Sequence, residues 1–384
     1  MHIFKHKTSY HASRRAVLTS AVIFSLLTTP LRAQKITLGS CITKDKGEYY
    51  GEMAAGMPHG KGKTVWKSGN SYEGQYEKGK RNGEGTYYFY DGDRYEGQWV
   101  DDHQHGTGTY FFANGNRYTG LWWKDYQQGK GKMTYFNDDT YDGTWRENKR
   151  DGRGKYTFVG GAWYDGEWKN DKKNGRGTFD WNNGSTYEGQ WLDDKKHGEG
   201  RFKYANGDQY HGQFQNDLMH GKGIYSFANG DVYEGDYQRG QRTGTGIFKF
   251  ANGDRYYGQF LNGDKHGQGR FVWANGTTYN GEWKNDKASG KGKLTTKAGD
   301  VVEGTFLDGK PNGECTGNLA DGSKFKAHYK NGVRHGSAIE ISKEGLRFEG
   351  NYSQGHRDGD FLEKDRNGKV VHKGTYSNGR RIEE

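Results

Sequence analysis

From Tyr49 onward, ring-bearing and polar residues alternate in two short bursts, and the pair of bursts recurs every 23 residues. With the tyrosine as position one, Tyr187, Gly189 and Trp191 occupy positions one, three and five, with Glu188 and Gln190 between them. Later in the same unit, Gly200, Phe202 and Tyr204 repeat the alternation at positions fourteen, sixteen and eighteen. A period of two puts each set on one face of a β-strand. The pattern therefore predicts two strands per unit that share one aromatic face. Glycine at positions three and fourteen is expected to leave room for neighbouring rings.

The steps fall at Tyr49, Tyr72, Tyr95, Tyr118, Tyr141, Tyr164, Tyr187, Tyr210, Tyr233, Tyr256, Tyr279, Val302, Phe325 and Phe348, fourteen units without an insertion. Asn-Gly at positions twenty and twenty-one, as in Asn206-Gly207, predicts a two-residue type I′ hairpin with positive φ at both residues. In the unit beginning at Tyr118, Asp138 stands where that glycine is expected and must take the same conformation at some strain. The other connection, through segments such as Asp194 to Gly198, is expected to be longer. All strands should then run antiparallel, neighbour beside neighbour. One 23-residue unit has too few rings to offset the entropy of ordering its backbone, so the units must stack to fold.

The pattern decays near the carboxy terminus. Val302-Gly304-Phe306 lacks a phenol and an indole, Ala327 replaces the strand glycine, and Ser337-Ala338 replaces Gly-x-Gly. A terminal unit has no neighbour on one side, so residues 302–384 are expected to be degenerate repeats that form a cap or a dimerisation edge. Residues 49–301 form the regular array and residues 34–48 an amino-terminal linker or cap.

Taken together, Tyr187, Gly189, Trp191, His197, Gly198, Gly200, Asn206 and Gly207 resemble the signature of the MORN repeat (membrane occupation and recognition nexus), and the resemblance spans about residues 49–381. It implies an all-β fold: an elongated, single-layer, twisted antiparallel β-meander of stacked hairpins that acts as a scaffold, sometimes dimeric. In enzymes with such arrays, catalysis belongs to an attached domain.

Composition adds little to this picture. A mean hydropathy of -1.18 with only 30% hydrophobic residues looks like a disordered chain. Half of that apolar content is aromatic, however, and it recurs in register. Net charge is +10, but residues 1–33 hold five basic residues and no acid. The remainder has 53 basic against 48 acidic residues, a weak argument for nucleic acid. Cys41 and Cys315 lie about twelve units apart and cannot bridge within one chain.

Residues 1–33 read as an export signal: a basic start ending in Ser13-Arg14-Arg15, an apolar run from Ala16 to Thr29, and Leu31-Arg32-Ala33 before Gln34. As a signal helix the apolar run is too short for a bilayer core, which favours cleavage over anchoring. The arginine pair also resembles a twin-arginine signal, and Leu38-Gly39-Ser40-Cys41 a lipoprotein box, although Arg32 and Lys35 separate that box from the apolar run.

The candidate sites are few. Six histidines, among them His197 and His220, share position eleven, where a turn residue before glycine is expected rather than a metal ligand. Positions nine and ten carry Lys80-Arg81, Lys149-Arg150, Lys172-Lys173 and Lys195-Lys196, a candidate interaction edge for anionic lipid or an acidic partner. Gly60-Lys61-Gly62-Lys63-Thr64 ends like a phosphate loop but has Met57 where the leading glycine belongs. No catalytic residue set, cofactor or metal site is expected. The sequence supports an exported, non-enzymatic scaffold, periplasmic or extracellular, with association to the envelope expected, that binds a protein partner or itself. Attachment to anionic phospholipid through the basic edge, and cell-wall glycan binding through exposed rings, are the alternatives.

Overall fold

The computed structural model describes residues 35–382. The expected signal helix, residues 1–33, lies outside them. The described chain is all-β: 32 strands form one open sheet in which successive strands pair antiparallel, except that the short strand His356–Arg357 and Gly359–Lys364 both pair with Arg347–Ser353. The residues expected as a linker contribute the first strand, Thr37–Ile42, which pairs with Glu48–Ala54. Pairing continues past the recognisable repeats, through Val370–Ser377 and Arg380–Ile382.

Within a unit, Thr186–Leu192 pairs with Lys195–Lys203, and Lys203 pairs onward with Gln209 of the next strand. Gly189 faces Gly200, and Gly200 faces Gly212, so a row of glycines crosses the sheet strand after strand. Tyr187 lies over that row. A β-carbon at Gly189 would stand 2.6 Å from its hydroxyl, and one at Gly200 would fall closer still. The space made by the glycines is thus filled by the ring of the same unit, not by a neighbour's.

This packing lets a single sheet bury large side chains. The eleven tyrosines at position one, from Tyr49 to Tyr279, are almost completely buried. Each phenol donates to the carbonyl at position four, as Tyr187 does to Gln190 at 2.9 Å, beside a slip in register between Gly189 and Gln190. Trp191 then stands edge-on to Tyr187 at 5.1 Å and to Tyr164 of the preceding unit at 5.3 Å. Such edge-to-face pairs place the positive ring edge on the negative face. Each unit from Tyr72 to Val302 is tied to the one before it in this way.

The two connections exchange the roles expected of them. Asp193 and Asp194 are both at positive φ, 47° and 69°, and form the tight two-residue hairpin. Around Asn206-Gly207 only Gly207 has positive φ, 94°. Tyr204 N–H donates to the Asp208 carbonyl, and Gly207 N–H to the Tyr204 carbonyl, giving a three-residue loop whose last residue is left-handed. A loop with three central residues needs one left-handed residue, whereas the two-residue turn needs two. Asp138 does adopt the expected left-handed conformation, at φ 66°.

The degenerate end follows the same packing rule with other residues. Val302 is smaller than tyrosine, and Cys315 fills the position-fourteen slot facing Gly304. Under Phe325, which lacks a hydroxyl, alanines stand at both positions, Ala327 and Ala338. From Phe325 onward the buried side chains form a cluster separate from the main one, which ends at Phe306.

Candidate interaction face

Strand alternation sorts the side chains onto two faces. Positions one, five, sixteen and eighteen share one face, and position ten joins them, because Lys196 pairs directly opposite Trp191. Positions two, four, eleven and thirteen share the other; His197 pairs opposite Gln190 there. Among the described residues no three histidine, cysteine or acidic side chains gather as a metal cluster.

Positions sixteen and eighteen build a second line of rings, half-buried and running along the array. Phe179, Trp181, Phe202, Tyr204, Tyr225 and Phe227 follow one another at centroid separations of 4.3 to 5.8 Å. The line is interrupted at Met133, the residue at position sixteen of the Tyr118 unit.

The eight basic residues separate by face. Lys80, Lys149, Lys172 and Lys195 point outward and are exposed. Lys80 pairs with Asp101 at 2.9 Å and Lys172 with Asp193 at 3.8 Å. Arg81, Arg150, Lys173 and Lys196 instead fold across the rings. The Arg81 guanidinium lies 4.5 Å from the Trp99 ring and 5.1 Å from Tyr87, and Arg150 lies 4.3 Å from Trp168. Lys173 lies 4.6 Å from Trp191, and Lys196 5.0 Å from Phe202. A cation over a ring face is held by the quadrupole of the π system. Burial lowers the affinity of Lys173 and Lys196 for their protons, while Asp217 opposes the shift at Lys196.

An acid at position eight of the following unit completes each of these sites. Asp102 Oδ1 accepts from the Arg81 backbone N–H at 2.9 Å and from its Nε at 3.2 Å, and Asp102 N–H returns a bond to the Arg81 carbonyl. Asp171 does the same for Arg150, and Asp194 and Asp217 accept from the backbone N–H of Lys173 and Lys196. Sequence reading missed this partnership because the members lie 21 residues apart and meet only across a unit boundary. Position twenty-two gives a parallel link: Asp208 accepts from Ala228 N–H and from the Tyr225 hydroxyl, both at 2.8 Å.

The MORN repeat pattern matches thirteen consecutive segments, from 49–71 to 325–347. The chain belongs to the MORN-repeat family. The first eleven MORN copies begin on the buried tyrosines. No curated protein matches this MORN chain. Among solved structures, the TCP domain of Drosophila melanogaster SAS-4, in complex with a proline-rich motif of Ana2, is 18% identical over 41% of this chain and 85% of its own, with a TM-score of 0.27. The TCP10 domain of Danio rerio CPAP is 15% identical over 50% and 96%, with a TM-score of 0.28. A virginiamycin B lyase from Staphylococcus aureus is 11% identical over 74% and 97%, with a TM-score of 0.13.

Proposed function

We propose that this MORN array is an exported, non-enzymatic scaffold that binds a protein partner or a second copy of itself through its ring-lined face. The observation that carries the reading is the half-buried second line of rings. The position-one rings are hidden, whereas those at positions sixteen and eighteen keep an open side along most of the array. Interfaces favour such aromatic anchors. Export rests on the tripartite pattern of residues 1–33.

The rival attachment to anionic phospholipid draws on fewer free charges than the eight residues suggest. Four of them lie on the rings, and two of the outward lysines face aspartates. Salt-sensitive sedimentation with acidic liposomes, lost on charge reversal of Lys149 and Lys195, would favour that rival. Glycan stacking on the ring line is the second rival, read by salt-resistant retention on insoluble peptidoglycan.

The deciding experiment is crosslinking in the native envelope, followed by affinity purification and mass spectrometry, with crosslinkers placed at Phe202 and Phe227. Reproducible crosslinks to one protein, or between two copies, support the scaffold. Sequencing the mature amino terminus tests export: a protein that still begins at Met1 rejects cleavage.

A further inference from the structure

The cation that covers the rings is missing from two consecutive units, where position ten holds Gln104 and Gln127. A groove of about 980 Å³ opens over these units, lined by Phe89, Tyr110, Trp122, Met133, Trp145 and Asp125 among others. The ring frame beneath it is the one that holds Arg81. Around Arg81, Tyr87 lies 5.9 Å from Trp99 at 37°, Trp66 lies 5.5 Å from Tyr87, and Tyr72 lies 5.3 Å from Trp99. One unit later, Tyr110 lies 5.9 Å from Trp122 at 32°, Phe89 lies 5.6 Å from Tyr110, and Tyr95 lies 5.2 Å from Trp122.

The acid of the site is also retained. Where position ten is apolar or proline, as in Pro58, Met219, Ala288 and Pro311, the next position eight is glycine: Gly79, Gly240, Gly309 and Gly332. Gln127 is followed by the neutral Asn148. Gln104 is followed by Asp125, whose Oδ1 accepts from Gln104 N–H at 2.7 Å and whose Oδ2 meets the exposed His103 Nδ1 at 2.6 Å. Four rings and a carboxylate thus keep the arrangement of a cation site from which the chain's own cation has been shortened away.

We propose that the slot formed by Phe89, Tyr110, Trp122 and Asp125, above the buried Tyr95, receives the guanidinium or ammonium group of an arginine or lysine on a protein partner. This deepens the scaffold reading and rests on it. The partner's side chain would repeat what Arg81 does, lying against Trp122 and Tyr110 and pairing with Asp125 in place of His103. The glutamine at 104 reaches less far than arginine, which leaves the outer part of the slot to the incoming group. The neighbouring Gln127 continues the opening over the next unit.

The test uses the full array with ¹⁵N-labelled tryptophan and two capped peptides, Gly-Ser-Arg-Ser-Gly and the same peptide with neutral citrulline for arginine. The Trp122 indole signal, assigned with Trp122→Phe, should shift saturably with the arginine peptide, and the citrulline peptide should bind at least about tenfold more weakly. Gln104→Arg supplies the chain's own cation in a setting that neighbouring units already accommodate, so it should fold and should abolish the shift. Equal response to the two peptides, an undiminished response in Gln104→Arg, or no saturable shift up to about 10 mM peptide would overturn the slot. If a crosslinked protein partner were still retained by Gln104→Arg, the slot would fall while the scaffold reading stood.

Discussion

Trp191 donates its indole N–H to the carbonyl of Gly177, in the preceding unit, at 3.1 Å. The same bond joins Trp99 to Gly85, Trp122 to Gly108, Trp145 to Gly131, Trp168 to Gly154 and Trp283 to Gly269. Phe214, Tyr237 and Phe260 take that position in the intervening units, keeping the ring without the indole N–H. Trp191→Phe should therefore preserve the stack and cost about 1 kcal/mol for the lost hydrogen bond, with a further loss from reduced burial. Trp191→Ala removes the link to Tyr164 as well and should cost about 3–5 kcal/mol. Denaturant unfolding followed by tryptophan fluorescence checks both values. Indistinguishable midpoints for the two variants would show that the inter-unit ring contact carries no stability.

The pairing of Tyr187 with Gly200 is a volume constraint, and the carboxy-terminal units show how it can be met otherwise. Gly200→Cys places a side chain where the phenol lies and should destabilise the array by several kcal/mol. Adding Tyr187→Val copies the Val302 and Cys315 combination. The double variant should be more stable than the two single losses predict, with a coupling of about 1–3 kcal/mol. Strict additivity in urea melts of the four proteins would refute the exchange of ring for sulfur.

Much of this was legible in the chain because a period of two, repeated every 23 residues, fixes strand, face and neighbour at once. Tyr187, Gly189 and Trp191 could be placed on one face from spacing alone. The turns were less legible: Asn206-Gly207 carries the composition of a two-residue hairpin but closes a three-residue loop, while Asp193-Asp194 takes the tighter turn without a glycine. Aspartate tolerates the left-handed region through its short polar side chain, and the bond from Lys173 N–H fixes Asp194 there. Nor could spacing divide Lys195 from Lys196. Adjacent residues of a strand point to opposite faces, and a register slip decides which one joins the rings.

The turn assignment has its own test at Asp194. Asp194→Gly keeps the left-handed conformation and loses only the acceptor for Lys173 N–H, an arrangement close to that of Gly240 and Gly263. Asp194→Ala loses the acceptor and adds a conformational penalty of about 1 kcal/mol or more. Stability should fall in the order aspartate, glycine, alanine. Asn206→Ala, outside the left-handed region, should cost less than Asp194→Ala. Thermal melts that reverse this last comparison would return the two-residue hairpin to Asn206-Gly207.

Alkali should dismantle the array through its hidden phenols. Burial is the first cause of the raised proton affinity along the position-one row; Tyr49 and Tyr233 are pushed up to about 12, and Tyr72, Tyr118 and Tyr187 are raised in the same direction. An unfolded chain ionises its tyrosines near pH 10, so above that value it releases protons that the folded chain retains. The stabilisation is complete below about pH 10 and is lost as pH rises through about 12. Because many such residues share one continuous core, their losses combine in a narrow interval. Phenolate absorbance and the loss of β-sheet circular dichroism should rise and fall together within that window. Phenolate appearing smoothly near pH 10 with the sheet intact would mean that these hydroxyls are reached by solvent in the folded array. That would contradict the burial of Tyr187 over its glycines.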